Sequence, residues 1–262
     1  AMAMVREGVL DNPKVDVVLG QHISNQAPSG TIRYRPGPML ASIDVFNIKF
    51  KGTGGHGAAP WASNTPMLAA AETVLGLQNI VSHRLNPTID GGQTIVTTGM
   101  LQSGNRFNVL PETAEIAGTI RALSTTNQKI AQEEIRRRAT GIAASYGVQA
   151  DVKIDSGDGY EVLVNDRDAT LSLVGAFGAA AGGAAKVSQM PASMGSEDFG
   201  AFGLTGVPVV FWMLNASPMG EKDGPVNHSP LFQIDESAMR VGVRALTAAT
   251  LSQLASARLQ GR

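Results

Sequence analysis

The sequence predicts an α/β protein in which a small βαββαβ unit is inserted into a larger α/β domain. Three observations carry that expectation. Strand-like and helix-like segments alternate along the 262 residues, as they do in α/β and α+β folds. Two nearly continuous apolar runs, at 15–19 and 207–212, suit strands buried on both faces. Between them, residues 41–155 carry the strand and helix periodicities of one compact unit.

Taken in order, residues 15–19 form the first buried strand, which ends at Gly20-Gln21-His22. Residues 31–35 alternate and read as a second strand, and Pro36-Gly37-Pro38 breaks the chain at a natural domain edge. Residues 43–50 are β-branched and aromatic with partial alternation, hence a strand. Over 66–85, Met67, Ala70, Val74, Leu77 and Val81 mark an amphipathic helix with Pro66 in its first turn. Strands follow at 93–99 and 113–121. Residues 127–146 set Ala131, Ile135, Ala139, Ile142 and Tyr146 on one helical stripe, and Gly147 suits the stop. A strand at 148–154 completes the ferredoxin-like order, an antiparallel sheet with two helices on one face. The face or edge left uncovered is a candidate dimer surface. Beyond it, 166–181 is helical up to Gly182-Gly183, and 207–212 is the second buried strand. Asp235 is placed to cap a final helix with Met239, Val243, Leu246 and Leu254 inward. The expected division is 1–40 and 156–262 for the larger domain and 41–155 for the insert.

Composition narrows the function. With 43% hydrophobic and 16% charged residues, the chain can bury a sizeable core. Lys plus Arg (21) nearly balances Asp plus Glu (22), so no basic excess draws the chain to nucleic acid or anionic lipid. No apolar run reaches the roughly 18 residues of a membrane span, and the first residues show no signal-peptide pattern. Cysteine is absent, which removes disulfides and thiolate metal sites and fits a cytoplasmic protein. The G-x-S-x-G, H-E-x-x-H and P-loop patterns are missing, so serine and zincin mechanisms have no foothold.

The chemistry-bearing residues are few. Of the four histidines, His22 stands just past the end of a buried strand, where open α/β sheets bind ligands. It reads as a metal ligand or as a loop histidine. His228, in Pro225-Val226-Asn227-His228-Ser229-Pro230, leaves the same choice open. His83 sits late in a helix, where the dipole favours a solvated imidazole. His56 lies in Gly52-Thr53-Gly54-Gly55-His56-Gly57, a literal G-x-G-x-x-G. A dinucleotide loop is rejected, because Pro60 and residues 61–65 separate the glycines from the helix N-terminus a phosphate needs. The glycines instead let His56 approach another group closely. Met194-Gly195-Ser196-Glu197-Asp198-Phe199 offers two carboxylates for metal or acid/base work, or a helix cap at Ser196. Arg121 is placed to fork onto a carboxylate, or is an ordinary strand arginine. Trp61, Phe107 and Trp212 read as core or interface residues, with an aromatic pocket as the other choice.

Together these residues resemble the M20 metallopeptidases, in particular the amidohydrolase branch of hippurate hydrolases, N-acyl-amino-acid deacylases and auxin-conjugate hydrolases. The matching runs include Glu7-Gly8-Val9-Leu10, Gly20-Gln21-His22, Arg35-Pro36-Gly37-Pro38-Met39-Leu40-Ala41-Ser42 and the His56 glycine loop through Pro60. Phe107-Asn108-Val109-Leu110-Pro111, Gly118-Thr119-Ile120-Arg121, the Gly195-Ser196 segment and His228-Ser229-Pro230 follow in the family's order. The resemblance implies part of a zinc-peptidase-type catalytic domain, with the ferredoxin-like insert as its lid and dimerisation domain. It implies His22 and His228 as metal ligands, with two divalent ions, Zn²⁺ or Mn²⁺, in the intact enzyme. It implies that His56 and Asn108 reach a substrate carbonyl, often across a dimer, and that His56 stabilises the oxyanion. Arg121 is then a carboxylate anchor, and Gly195 and Ser196 are backbone contacts to substrate.

The family's Cys-x-His and Glu-Glu pairs, which supply the remaining ligands and the general base, have no counterpart here. The expectation is a C-terminal portion of a longer amidohydrolase, lacking the N-terminal half of its catalytic domain. It would cleave N-acyl amino acids or related small amides by attack of a metal-bound water, as a cytoplasmic homodimer without nucleic acid or membrane. A missing half on a separate polypeptide, and a non-catalytic dimerisation or binding module, are the alternatives.

Overall fold

The computed structural model describes residues 1–156, 160–218 and 225–259. In chain order the elements are α1 (Met2–Arg6), β1 (Val18–Pro28), β2 (Ile32–Tyr34), β3 (Gly37–Leu40), β4 (Ser42–Lys51), β5 (Gly55–His56), α2 (Pro66–His83), β6 (Thr94–Ser103), β7 (Val109–Leu110) and β8 (Thr113–Ala122). They continue with α3 (Thr125–Ser145), β9 (Gln149–Asp155), β10 (Leu163–Asn165), α4 (Arg167–Ser172), α5 (Val174–Ala181), β11 (Val187–Gln189), α6 (Gly200–Gly203), β12 (Val209–Ser217) and α7 (Ala238–Leu259). Two compact units result. One is Ala1–Met39, Leu163–Ser193 and Asp198–Arg262; the other is Leu40–Val162 with Met194–Glu197.

The second unit is an antiparallel sheet in the order β6-β8-β4-β9. Strict alternation in β4 puts Phe46, Ile48 and Phe50 on one face, where they are fully or almost fully buried. Against them pack Ala69, Leu77 and Ile80 of α2 and Ala131, Ile135 and Ala139 of α3. Gly118 of β8 is required by close approach, since a Cβ there would lie 1.9 Å from the Thr97 carbonyl oxygen. Two charges are built into this unit. Asp44 is fully buried and accepts from the side-chain amides of Gln128 and Gln132. Glu134 is gripped by Arg84, Arg137 and Arg138 at 2.9, 2.6 and 3.2 Å. The Arg137 hydrogen bond, opposed in part by burial, leads the causes that lower its carboxyl to about 2. Where the chain enters and leaves this unit, the Ile43 N–H donates to the Tyr160 carbonyl at 3.1 Å.

The first unit holds a mixed sheet in the order β1-β12-β2-β11. β1 runs parallel to β12, and β2 runs antiparallel to β12. One face of this sheet carries Ile32, Tyr34, Trp212 and Leu214 onto Phe177 of α5 and Ala245 and Ala249 of α7. The indole of Trp212 lies 4.8 Å from the Phe177 ring. Buried Asn165 stitches the unit together: its Nδ2 donates to the carbonyls of Arg35 and Phe211, and its Oδ1 accepts from the Phe211 N–H.

Three expectations are corrected. β1 does not stop before His22; its ladder with β12 continues from Val18 to Ser24, so His22 stands inside the strand. The helix expected at 166–181 is two helices that meet at Leu173. The inward stripe of α7 is not Met239, Val243, Leu246 and Leu254, which are 42, 66, 37 and 56% exposed. Val241, Ala245 and Ala249 face the sheet instead, and Gly242 sits where a Cβ would come 2.8 Å from Leu214. Small side chains let the helix lie close to the strands, a contact that larger residues would hold apart.

Candidate functional site

His22 is half-buried in the middle of β1, beside the ring of Phe211 at 6.4 Å. Its Nδ1 lies 2.7 Å from the carbonyl oxygen of Ile23. A carbonyl oxygen only accepts, so Nδ1 carries the proton and the neutral ring keeps its lone pair on Nε2. That is the tautomer of a metal-ligating histidine with its other nitrogen anchored.

The same carbonyl receives a second donor, the side-chain amide of Asn227, at 3.1 Å. Asn227 thereby ties the loop carrying His228 to the residue that follows His22. His228 itself is exposed and has φ of 73°, the only positive φ outside glycine among the described residues. A non-glycine residue in that region is held there by its surroundings and marks a constrained position. The loop is closed locally by Ser229 N–H on the Val226 carbonyl and by Phe232 N–H on the Ser229 carbonyl. Further on, Asp235 accepts from Ser29 Oγ and from the backbone N–H of Ser237, which hold its carboxyl below the usual range. Its bond to Ser237 closes a turn just before α7, which begins at Ala238.

His56 and Asn108 are neighbours in the second unit. β5 pairs with β7, setting His56 opposite Val109, and the Gly57 N–H donates to the Asn108 carbonyl at 2.9 Å. The Ala58 N–H donates to His56 Nδ1 at 3.0 Å. Nδ1 is therefore the unprotonated nitrogen, and Nε2 carries the hydrogen. His22 and His56 are thus fixed as opposite tautomers: one offers a lone pair, the other a donor.

Arg121 lies on β8 and donates through Nη1 to the Met194 carbonyl at 2.8 Å and to Ser196 Oγ at 3.1 Å. The Ala41 N–H donates to the Gly195 carbonyl at 2.9 Å. Ser196 does not cap a helix, since α6 begins at Gly200 with Phe199 as its N-cap; its hydroxyl is held by Arg121 instead. Among the described residues, both hydrogen bonds of Arg121 are made through Nη1.

Of the aromatic candidates, Trp212 is core, whereas Trp61 and Phe107 are 83 and 102% exposed. His83 ends α2, exposed. Among the described residues, no group of three or more His, Cys, Asp or Glu is gathered to hold a metal ion, and no helix is long and apolar enough to cross a membrane. Sequence reasoning does not single out Asn227. Its only signal is its place beside His228 in a loop closed by two prolines.

Comparison with known proteins gives the same direction. Residues 1–252 match the profile of peptidase family M20/M25/M40. A Bacillus subtilis protein named as an amidohydrolase, YhaA, is 32% identical over 252 residues, covering 96% of this chain and 61% of its own length. The N-acetylcysteine deacetylase of Bacillus subtilis is 33% identical over 242 residues, covering 92% of this chain and 59% of its own. The crystal structure of a dinuclear metal-binding M20 peptidase from Bacillus subtilis superposes with a TM-score of 0.72 at 27% identity, over 95% of this chain and 60% of that one. The chain therefore spans about 60% of the length of the relatives it matches.

Proposed function

Because this chain belongs to the M20/M25/M40 peptidase family, we propose that the protein it represents is a metal-dependent amidohydrolase of N-acyl amino acids or related small amides. The observation that carries this reading is the anchored His22 ring, with Asn227 bringing the His228 loop to the same carbonyl.

The donor set fits a divalent ion. His22 presents an unprotonated Nε2 on an anchored ring, and His228 presents its imidazole from a constrained loop. Both would be ligands, and the borderline character of imidazole is compatible with Zn²⁺ or Mn²⁺. Such an ion supplies Lewis-acid polarisation of the amide carbonyl and acidifies water. The relative described as a dinuclear metal-binding peptidase supports two ions in the complete protein.

The chain's own residues then divide the remaining work. His56 donates its Nε2–H to the carbonyl oxygen as negative charge develops there, and the Asn108 side chain is the second donor. Arg121 holds the Gly195-Ser196 turn by Nη1 and offers Nε and Nη2 to the substrate carboxylate. We read the Leu40–Val162 unit, with its βαββαβ order and β6-β8-β4-β9 sheet, as a ferredoxin-like lid. Its edge strand β6, which leaves Ile95 and Leu101 exposed, is the surface through which it forms a homodimer.

The test is release of free amine from a panel of N-acyl amino acids, with Zn²⁺ or Mn²⁺ and then with chelator. Metal-dependent release is the expected result. A folded dimer that releases no amine from any member of the panel would make the protein a binding or dimerisation module instead.

A further inference from the structure

The helices of the Leu40–Val162 unit carry a charge cluster that the proposed hydrolysis does not use. On α3, Glu134, Arg137 and Arg138 stand at i, i+3 and i+4, so they share one face of the helix. Arg84 joins them from the C-terminal end of α2, which packs alongside α3. Gly76 permits that packing, since a Cβ there would come 3.2 Å from Ile142.

The carboxylate at the centre is fully engaged. Glu134 Oε1 accepts from Nε of Arg84 at 2.9 Å and from Nε of Arg137 at 3.2 Å. Its Oε2 accepts from Nη2 of Arg137 at 2.6 Å and from Nε of Arg138 at 3.2 Å. Arg138 also donates through Nη1 to the Gly76 carbonyl at 3.2 Å. The Glu134 side chain is 6% exposed, whereas those of Arg84 and Arg137 are 53 and 65% exposed. A buried anion therefore holds two guanidiniums from beneath while their outer edges meet solvent.

The charges do not balance. Three cations share one anion, so the cluster keeps two positive charges in excess. Glu133 is exposed one residue away, and among the described residues no ion pair joins it to the three guanidiniums. The C-terminal end of α2 contributes about half a negative charge, which reduces the excess without removing it. Arg136 turns elsewhere, donating to the Val152 carbonyl at 2.9 Å. One cation is enough to pair a carboxylate; each further one adds ordering entropy and mutual repulsion. A tetrahedral dianion makes use of that arrangement, because it needs guanidiniums held side by side in advance.

We propose that Arg84 and Arg137 form a binding site for a phosphate group, with Glu134 and Arg138 holding them in place. The ligand is free phosphate or the phosphoryl end of a small organic molecule. Its two negative charges match the excess, where a monoanion would leave half of it. The site lies on α2 and α3, on residues with no part in the amide-hydrolysis reading, and does not depend on it.

The experiment is an NMR titration of the chain with inorganic phosphate, methyl phosphate and acetate at constant ionic strength. It follows the Nε–H resonances of Arg84 and Arg137. Both phosphates are expected to shift both resonances saturably, with acetate roughly tenfold weaker or worse. Methyl phosphate binding the tighter of the two supports an organic phosphate as ligand, and the reverse order supports the free ion. R84Q is expected to weaken phosphate roughly tenfold to a hundredfold, the loss of a charge-assisted hydrogen bond. R84K, which keeps the charge but not the fork, should fall between, and R137Q repeats the test from α3. R136Q removes an equal charge outside the cluster and should leave binding unchanged; spectral dispersion reports that each variant is folded. No saturable phosphate shift, equal losses in R84Q and R136Q, or acetate binding as tightly as phosphate overturns the site.

Discussion

His22 and Asn227 donate to one oxygen, the Ile23 carbonyl, from 2.7 and 3.1 Å. One donor sets the tautomer of a candidate ligand, and the other pins the loop of its counterpart. A single backbone atom therefore coordinates the two imidazole positions, although they lie 206 residues apart (228 − 22) in sequence.

N227A removes the loop's tether and leaves the His22 bond intact. Metal affinity should fall roughly 10–100-fold, the usual cost of losing an outer-shell partner. Competition against a chromophoric zinc chelator reads this directly. An unchanged affinity would show that the His228 loop is held by something other than this bond.

H56A removes the Nε2–H donor while the β5–β7 pairing persists through the backbone. In the amidohydrolase proposed above, kcat should drop about 10²–10³-fold with KM nearly unchanged, the pattern of a contact made mainly in the transition state. A rise in KM alone would instead make His56 a ground-state binding residue.

Glu134 gives a pH dependence with a definite sign. Folding lowers its carboxyl from 4.5 to about 2. A depressed carboxylate contributes stability that is fully present above the unfolded value and is lost as pH falls toward the folded one. Denaturant unfolding across pH 4.5 to about 2 should therefore show declining stability that E134Q flattens. Equal slopes in the two proteins would remove Glu134 as the source.

G118A tests close packing in the sheet of the second unit. The added methyl would meet the Thr97 carbonyl at 1.9 Å and Phe46 at 2.5 Å. Neither the strand backbone nor a fully buried ring can move cheaply, so destabilisation of about 3 kcal/mol or more is expected. Calorimetry showing a melting temperature within a degree or so of the parent would contradict so close an approach of β6 to β8.

Part of this fold is legible from periodicity. The alternation of β4 and the Ala131, Ile135 and Ala139 stripe of α3 follow from sequence, because burial there follows side-chain hydrophobicity. α7 fails for the reason those succeed. Its large apolar residues face outward and its alanines face inward, so hydrophobicity alone points to the wrong side. The histidine positions are legible, but their tautomers are not, since each depends on a backbone atom placed by folding. Asn227 carries no signal beyond its place in the chain: a polar residue declares itself only when its partners are known.

The bond from Ile43 N–H to the Tyr160 carbonyl has a consequence for inheritance. It clasps the start of β4, by which the chain enters the Leu40–Val162 unit, to the segment just before β10, by which it leaves. A segment whose ends already meet is a cassette. It can be excised and its stumps joined by a short turn with little closure entropy, or exchanged for another module with the same footprint. Recombination can trade such a piece between genes without redrawing the sheet that holds His22.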